Sequence, residues 1–431
     1  IMINDYIKER SFTSPDTIFI TINSTPITYK EFDHYIYCIE LFIKSQTSNP
    51  QRVKIQCANK KNILASIIAC NRTNCIPVIF PPSNKMIKFI DYNIIAGCDF
   101  EINDNSCIIQ SKNEDKRQEI SYKNNDIQCV LFTSGTEMNP KAAELTFDNI
   151  YSSALNWNEI ANFKSDDIYL NVLPLWHISG LSIFFRSLYF NFQSVVLEYN
   201  KNEIYSSVKK LKINCISAVP TMISDIMEQS DDNIFSSFKI VIIGGASINK
   251  RVFNYFKNYD VNAYISYGMT ETSSGVCGYF IRDVKNFNHG FLGFVHKNTS
   301  ITINGGRIEI QSNTVMKGYS NNQNCNGKFL TEDFGIIKSN QLFYKSRSSN
   351  FIVSGGENIN LKVVNNVIAG FEKGIDFEVK GVADDRWGCV MVVLINKSNF
   401  NIDKIKEHCQ KYLPAYMVPK HFIDHVNKKE F

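Results

Sequence analysis

Short runs of β-branched and other apolar residues alternate with amphipathic helical stretches along most of this 431-residue chain. The apolar runs predict strands, and helices are predicted between several of them, for example at 64–72 and 150–161. Strands separated by helices favour parallel sheets with helices on both faces. The predicted strands of this part are 52–58, 76–80, 128–134, 194–199, 215–220 and 239–245.

The pattern changes near residue 301, where strands and turns follow one another closely up to residue 345. This predicts a small antiparallel sheet or barrel. After the polar run 345–350 comes a second, smaller segment of strands and helices. We therefore predict an α/β protein with a large N-terminal domain of stacked, mostly parallel sheets and a small, mobile α+β C-terminal domain. The expected bounds are 1–345 for the large domain, with a β subdomain at about 290–345, then 346–350 for the hinge and 351–431 for the small domain.

Composition excludes several classes of protein. Hydrophobic residues make up 44% of the chain and the net charge is +4, without a basic block that would suggest nucleic-acid binding. The twelve cysteines include no CxxC pair, which favours free thiols in a reducing compartment over zinc sites. No apolar run reaches the ~18–20 residues of a membrane span, and the first residues lack the apolar core of a signal peptide. We expect a cytoplasmic protein that binds neither nucleic acid nor membrane.

Residues 131–143, LFTSGTEMNPKAA, have the composition of a phosphate-binding loop. The segment follows a predicted strand, and a helix is predicted from about residue 145. A strand–loop–helix unit offers backbone N–H groups and a helix N-terminus to an anion. Taken alone, the pattern also fits an ordinary connector. The groups that the segment would add are three hydroxyls, a glycine that permits close approach and one cation: Thr133, Ser134, Thr136, Gly135 and Lys141.

The same segment resembles the T-S-G-T-T-G-x-P-K signature of the adenylate-forming (ANL) superfamily, which contains the acyl-CoA ligases and adenylation domains. YGMTET at 267–272 contains the Y-G-x-T-E core motif of that superfamily. These matches and those that follow cover about residues 20–425. The other segments that resemble family motifs, in family order, are LPLWHISGL (173–181), VIIGGAS (241–247), GRIEIQSNTVMKGY (306–319), LTEDFG (330–335), SRSSNFIVSGGENI (346–359), VADDRWG (382–388) and LPAYMVPK (413–420).

The resemblance implies a site for ATP and Mg²⁺. It implies that Glu271 holds the metal, that Thr270 bonds the α-phosphate and that Lys141 faces the phosphates. Asp333 and Arg347 would bind the ribose. The other nucleotide- and cofactor-binding residues that it implies are Thr133, Ser134, Gly135 and Thr136 in the loop, Gly244, Gly245 and Ala246 against the purine, Tyr267, Gly268 and Met269 in the core motif, and Gly355 and Gly356 beside the channel for CoA.

The stretch HISGLSIFFRSL, residues 177–188, is similar to that of the o-succinylbenzoate–CoA ligase branch of menaquinone synthesis. This implies activation of a carboxylic acid through an acyl-adenylate, followed by thioester formation with CoA. His177, Ser179 and Gly180 would line the acyl pocket, with His177 also catalytic. Arg186 would clamp the second carboxylate of a diacid. The alternatives are a packed core residue for His177 and a surface or helix-pairing cation for Arg186.

Other functions stay open. The acid could belong to an aryl or fatty acyl-CoA ligase, the thiol could be that of a carrier protein, and a homodimer is compatible with the sequence. A nucleotide-binding pseudo-enzyme is an alternative of another class, because several residues depart from the family motifs. We expect the nucleotide site to be retained with slow or weak use of ATP, and the chain to be trimmed before the last catalytic Lys of the family. The departures are Glu137, Met138, Glu332, Ser349 and Asn350.

Overall fold

The computed structural model describes residues 2–88, 90–108, 119–133, 140–229, 234–320, 324–347, 351–371, 376–395, 401–424 and 429–430. The strands, in chain order, are β1 (Met2–Asn4), β2 (Ile18–Ile22), β3 (Thr25–Thr28), β4 (Arg52–Ile55), β5 (Ile76–Ile79), β6 (Phe100–Ile102), β7 (Ser121–Lys123), β8 (Ile127–Thr133), β9 (Lys141–Thr146), β10 (Ile168–Asn171), β11 (Gln193–Val196), β12 (Cys215–Ala218), β13 (Ile240–Ile243), β14 (Ala263–Met269), β15 (Ser274–Phe280), β16 (Phe291–Val295), β17 (Thr299–Asn304), β18 (Arg307–Ser312), β19 (Gly318–Tyr319), β20 (Lys328–Lys338), β21 (Gln341–Arg347), β22 (Phe351–Ser354), β23 (Glu357–Asn360), β24 (Phe377–Asp384), β25 (Gly388–Ile395), β26 (His421–Asp424) and β27 (Lys429–Glu430). The α-helices are α1 (Tyr6–Thr13), α2 (Tyr29–Gln46), α3 (Lys60–Arg72), α4 (Tyr92–Ala96), α5 (Phe147–Ala161), α6 (Ile178–Phe190), α7 (Lys201–Leu211), α8 (Pro220–Gln229), α9 (Lys250–Asn258), α10 (Leu361–Ala369) and α11 (Ile402–Tyr412).

The largest sheet has thirteen strands in the order β17-β18-β20-β21-β16-β15-β14-β13-β12-β10-β11-β2-β3. From β14 to β2 the neighbours run parallel, and β12 and β13 are buried along their whole length. Continuous burial is expected where helices cover both faces of a parallel sheet. The strands from β15 to β17 pair antiparallel, so the predicted antiparallel sheet is present as a continuation of the parallel one.

A second sheet has the order β19-β9-β8-β5-β4-β6, with β8, β5, β4 and β6 parallel. Helices α2, α3 and α6 lie between it and the thirteen-stranded sheet, and their apolar side chains form one core with both sheets. Phe32, Leu64 and Leu181 are fully buried there. The predicted α/β architecture of large, mostly parallel sheets is confirmed.

The residues after β21 form a smaller α+β unit, which is called the C-terminal unit below. It contains the β22–β23 hairpin and a four-stranded sheet in the order β24-β25-β26-β27, with α10 and α11 packed against it. The predicted strands at 377–383 and 389–396 correspond to β24 and β25. Within the described part of the chain, no helix is both long and apolar enough to cross a bilayer.

A buried group of charges ties the first helices together. Arg72 at the end of α3 contacts three carboxylates: its Nε lies 2.7 Å from Asp5, and its two terminal nitrogens lie 2.7 Å from Asp33 and 3.4 Å from Glu40. Burial alone would raise the pKa of Asp5, but the Arg72 guanidinium outweighs it and holds that pKa below its ordinary value. Each of the three buried carboxylates is thus paired with a cation, and the cluster is structural.

Candidate active site

The helix predicted from about residue 145 is α5, which starts at Phe147, but a strand separates it from the segment after β8, so the predicted strand–loop–helix unit is wrong. Residues 141–146 form strand β9, which pairs antiparallel with β8 so that Thr133 lies opposite Lys141. Helix α5 starts only after Thr146, where Thr146 and Asn149 cap each other's backbone N–H groups. The α5 N-terminus is thus separated from Lys141 by about 20 Å of strand.

Lys141 and Glu271 both lie against Tyr319. The Tyr319 hydroxyl donates a hydrogen bond of 2.8 Å to Oε1 of Glu271, and the Lys141 Nζ lies 5.1 Å from the centre of the Tyr319 ring. Burial, and next the Glu271 carboxylate, raises the pKa of Tyr319 well above its ordinary value, so the hydroxyl stays a donor. One cation and one oriented carboxylate therefore face the same space.

The turn that carries Thr270 and Glu271 is tightly constrained. Thr270–Thr272 form one 3₁₀ turn after β14, and the Thr272 hydroxyl bonds the backbone on both sides of it. A Cβ on Gly268 would lie 2.0 Å from the carbonyl oxygen of Ser274, so only glycine fits there. Ser273 has φ 53°, a left-handed conformation that is rare outside glycine and is often found at functional sites. The Glu271 carboxylate is thus fixed by backbone geometry.

Magnesium fits this turn. Mg²⁺ is typically held by one or two carboxylates together with substrate phosphates and water, and Glu271 supplies one half-buried carboxylate. Among the described residues, no group of three or more acidic, His or Cys side chains could form a metal site by itself. The arrangement therefore suits a metal that binds together with a nucleotide.

The residues predicted to bind adenosine include three on β14, β20 and β21. The Tyr267 hydroxyl donates to Oδ2 of Asp333 at 2.8 Å, and Nε of Arg347 lies 3.5 Å from Oδ1. Asp333 and Arg347 are cross-strand partners in β20 and β21. Glu332, which departs from the family motif, turns away and pairs with Arg307 at 2.6 Å. Asp333 and Arg347, predicted for the ribose, are thus in direct contact with each other, and Tyr267, predicted near the adenine, contacts the same carboxylate.

The wall that is predicted to face the purine follows β13. Gly244, Gly245 and Ala246 leave the end of this strand partly exposed. A turn of the C-terminal unit packs against the same wall, since a Cβ on Gly356 would lie 2.7 Å from Val219, which also faces Gly245. Gly356 has φ 87°, so both space and conformation require glycine.

His177 is the N-cap of α6, and 37% of its side chain is exposed, so the alternative of a packed core residue is wrong. Its Nε2 lies 3.4 Å from Oε2 of Glu357 on β23 of the C-terminal unit. Burial acts to raise the pKa of Glu357, but the hydrogen bond and charge of His177 outweigh it and lower that pKa. Ser179 is exposed beside His177, whereas Gly180 is buried against the backbone of residues 173 and 174.

Arg186 lies two turns further along α6 and is only 2% exposed, so it is not a surface cation. One terminal nitrogen donates to the hydroxyls of Ser182 and Ser274, both at 3.1 Å. The guanidinium carbon lies 4.6 Å from the centre of the Trp157 ring. Burial lowers the pKa of Arg186 to about 10. Among the described residues, no carboxylate lies within ion-pair distance of Arg186.

Two buried nitrogens of this Arg186–Trp157 pair have no hydrogen-bond partner among the described residues: Nε of Arg186 and Nε1 of Trp157. Behind them the Tyr264 hydroxyl bonds Nε2 of His296 at 2.8 Å. Burial, and next the charge of Arg186, lowers the pKa of His296 to about 4, which keeps it neutral. A buried cation with unsatisfied N–H groups and no protein anion is arranged to receive an anion.

Several implied residues lie outside the described part of the chain. They are Ser134, Gly135, Thr136, Glu137, Met138, Ser349 and Asn350. The sequence reasoning did not select Tyr319, Trp157, Ser274, His296 or Glu357. Tyr319 and Glu357 belong to quoted motifs, so motif position was a usable signal for them. Trp157, Ser274 and His296 come from α5, β15 and the turn after β16, and nothing in their spacing predicts that they meet.

The family model described as "AMP-binding enzyme" matches residues 93–320, more than half of the chain, and the chain belongs to this family. Among curated relatives, the 2-succinylbenzoate–CoA ligase of Bacillus anthracis (strain A0248) is 24% identical over 96% of this chain and 93% of its own length. That of Staphylococcus aureus (strain MRSA252) is 31% identical over 70% of this chain and 64% of its own length.

Solved structures share the fold. A double mutant of o-succinylbenzoate CoA synthetase from Bacillus subtilis, bound with its product analogue OSB-NCoA, superposes with a TM-score of 0.86 at 22% identity, covering 99% of this chain and 97% of that one. The same enzyme in complex with ATP and magnesium gives a TM-score of 0.73 at 21% identity, covering 100% and 98%.

Proposed function

We propose that this chain is an AMP-forming acid–thiol ligase that converts o-succinylbenzoate, ATP and CoA into the CoA thioester, AMP and pyrophosphate. Family membership and the names of the relatives support the reaction class. In the first step a carboxylate oxygen attacks the α-phosphorus and the bond to pyrophosphate breaks. In the second step the thiol sulfur attacks the acyl carbonyl, the bond to AMP breaks and the thiol releases its proton.

The observation that carries the choice of acid is the buried, anion-free guanidinium of Arg186. A monocarboxylic acid places its only carboxylate at the phosphorus and would leave Arg186 unpaired in the pocket. A diacid such as o-succinylbenzoate carries a second carboxylate that can pair with Arg186 and accept from its free Nε. The burial of this cation therefore favours a diacid over a fatty or simple aryl acid.

The separation of His177 and Arg186 along α6 is compatible with an extended diacid bound between them. Arg186 follows His177 by nine residues, which is about 13–14 Å along the helix axis. Ser274, which contacts Arg186, starts the strand directly after the turn of Thr270 and Glu271. An acid bound at Arg186 would thus extend along α6 toward the turn that holds the metal.

The roles of the chain's own residues follow from these positions. Glu271, oriented by Tyr319, would hold Mg²⁺, which neutralises phosphate charge when bound. Lys141 would pair with phosphate oxygens and Thr270 would donate to the α-phosphate. Asp333 would accept from the ribose while Tyr267 and Arg347 fix its carboxylate. Preorganised groups of this kind act by binding charge where it develops.

CoA is the proposed thiol, with a carrier protein as the alternative. Glycine at Gly355 and Gly356 lets the turn of the C-terminal unit approach the wall at Gly245 closely, where a narrow channel for a pantetheine arm could run. We also propose a cytoplasmic location, supported by twelve free cysteines, nine of them buried.

The test is a panel of acids, each with ATP, Mg²⁺ and CoA, read by mass spectrometry of the thioester and AMP. The panel contains o-succinylbenzoate, benzoate and octanoate. We expect a thioester with o-succinylbenzoate and at least about 100-fold less product with the two monocarboxylic acids. Equal or better use of a monocarboxylic acid would overturn the choice of acid.

A pseudo-enzyme would give a different result in the same assay. It would bind ATP in calorimetry but form neither AMP nor exchanged pyrophosphate with any acid. A carrier-protein enzyme would exchange pyrophosphate and fail to form a thioester with CoA.

A further inference from the structure

Two cysteines meet where the chain after β6 closes over the end of β4. Cys57 follows β4 by two residues, and its Sγ donates to the carbonyl oxygen of Ile102 on β6 at 3.7 Å. Cys107 lies in the 3₁₀ turn Ser106–Ile108 after β6. Before this turn, the Asp104 carboxylate accepts from the two backbone N–H groups that follow Cys57, at 2.8 and 3.2 Å. The Asp104 contacts thus hold the turn of Cys107 against the segment of Cys57.

The two thiols interact directly with each other. The hydrogen bond between them is the largest influence on both: it raises the pKa of Cys57, as burial also does, and it lowers the pKa of Cys107 against the effect of burial. The Ser66 hydroxyl, 3.8 Å from Sγ of Cys107, also lowers the pKa of Cys107. The Cys107 thiolate thus has two hydrogen-bonding neighbours. Burial instead raises the pKa of three more exposed cysteines, which are Cys98, Cys325 and Cys389.

A cation of α3 lies beside the pair. The Lys61 Nζ lies 3.6 Å from the centre of the Tyr35 ring, and the Tyr35 hydroxyl donates to the carbonyl oxygen of Cys107 at 3.3 Å. The charge of Lys61 lowers the pKa of Cys107, whereas that of Asp104 raises it. Because the thiolate is the reactive form of cysteine, a thiol with hydrogen-bond donors and a cation nearby reacts more readily than one in apolar surroundings.

We propose that Cys107 and Cys57 form a site of reversible oxidation by peroxides, with Cys107 as the thiolate that reacts first and Cys57 as the resolving thiol. The Cys107 sulfur attacks one oxygen of hydrogen peroxide: an S–O bond forms, the O–O bond breaks and the other oxygen leaves as hydroxide. This oxidises Cys107 to a sulfenic acid. The Cys57 sulfur then attacks the Cys107 sulfur, so that an S–S bond forms, the S–O bond breaks and the Cys57 proton leaves in water. Two thiols and one hydrogen peroxide thus give one disulfide and two waters.

Burial of the pair selects a small oxidant. Cys107 is 4% exposed and Cys57 is 8% exposed. Hydrogen peroxide is little larger than water, whereas a disulfide such as oxidised glutathione carries bulky groups on both sides of its sulfurs. A disulfide formed in this way is compatible with a reducing compartment, because a thiol reductant restores both cysteines by exchange. The inference goes beyond the proposed ligase function and does not depend on it.

The test treats the full chain with hydrogen peroxide, blocks the remaining thiols by alkylation and maps the oxidised peptides by mass spectrometry without reduction. We expect the Cys57–Cys107 disulfide as the main product, at least about 10-fold above any oxidised form of the three more exposed cysteines. Dithiothreitol should remove it, and oxidised glutathione at the same concentration should give far less of it. Oxidation mainly at the more exposed cysteines, sulfinic acid at Cys107 without the disulfide, or equal product with the two oxidants would overturn the inference.

Three variants separate the roles of the two cysteines and of Lys61. Cys57→Ser keeps a hydroxyl donor beside Cys107 but removes the resolving sulfur, so we expect a Cys107 sulfenic acid that dimedone traps, and no disulfide. Lys61→Met should slow the oxidation of Cys107 about 2–5-fold, whereas Lys44→Met, at a half-exposed lysine of α2, should leave it unchanged. Absence of the dimedone adduct in Cys57→Ser, or equal rates in the two lysine variants, would contradict the inference.

Discussion

Two buried arginines of this protein have opposite surroundings. Arg72 has a fully buried side chain and touches three carboxylates, and these raise its pKa well above the ordinary value even though burial acts the other way. Arg186 is almost equally buried, but its partners are hydroxyls and an aromatic ring, and burial lowers its pKa to about 10.

The difference indicates a structural role for Arg72 and supports the proposed anion-binding role of Arg186. A buried cation is tolerated where anions of the protein surround it. A buried cation without such anions destabilises the unliganded protein. Binding of an anion then removes this destabilisation. The two arginines cannot be distinguished by burial alone, because both are buried. They are distinguished by the groups that they contact.

The largest effect is expected for Arg72→Met. The variant leaves Asp5, Asp33 and Glu40 buried without their shared cation, so we expect the free energy of unfolding to fall by about 3–5 kcal/mol. Urea unfolding followed by circular dichroism would measure it. Lys44→Met is the matched control, because Lys44 contacts Glu40 but is half exposed, and it should cost less than about 1 kcal/mol. Equal losses in the two variants would contradict the structural role of Arg72.

Arg186→Met should impair activity and leave the stability of the protein intact, the reverse of what we expect for Arg72→Met. Its stability should equal or exceed that of the wild type, because an unpaired buried charge is removed. Its kcat/KM for o-succinylbenzoate should fall about 100- to 1,000-fold, or ~3–4 kcal/mol, because the second carboxylate of the acid is left buried and unpaired. Arg282→Met, at an arginine that is half exposed, serves as the control. A large loss of stability with little change in kcat/KM would place Arg186 in the same class as Arg72.

His296 gives a test through pH. Its pKa is about 4 in the folded protein and ordinarily 6.5, so the unfolded chain binds more protons between these values and stability falls as pH decreases from 6.5 to 4. The gap corresponds to about 3 kcal/mol at pH 4. In urea unfolding measured at pH 7, 5.5 and 4.5, His296→Gln should no longer show this acid-dependent decrease in the free energy of unfolding. His289→Gln, at an exposed site, should still show it.

In Arg186→Met the same acid-dependent loss of stability should shrink, since part of the shift comes from the charge of Arg186. An unchanged pH dependence in that variant would show that the two side chains do not interact.

The smallest effect is expected at Tyr319. Tyr319→Phe removes one hydrogen bond to a carboxylate that stays half-buried and charged, so pyrophosphate release should slow about 5-fold, or ~1 kcal/mol. Tyr259→Phe, at an exposed tyrosine, should have no effect. A loss above about 100-fold would mean that Tyr319 contacts the reacting groups directly.

Much of this molecule could be predicted from the sequence because the signals are local. The apolar runs at 215–218 and 240–243 are strands in any context that buries both faces. The YGMTET motif required a glycine where a Cβ would strike Ser274, and the glycine is there. The error at residues 141–146 arose because KAAELT has no strong preference for helix or strand, and pairing with β8 decided its state.

The sequence by itself determined the family and the α/β class, and it predicts the residues for nucleotide and metal, since each depends on short motifs whose geometry is set by neighbouring residues. Only the tertiary structure decided that Arg186 is buried without an anion and that His177 meets Glu357. Burial and charge pairing depend on contacts between residues that are far apart in the chain, so no local sequence pattern predicts them. For that reason the residues of the candidate site could be predicted from the sequence, while the proposal of a second carboxylate on the substrate required the fold.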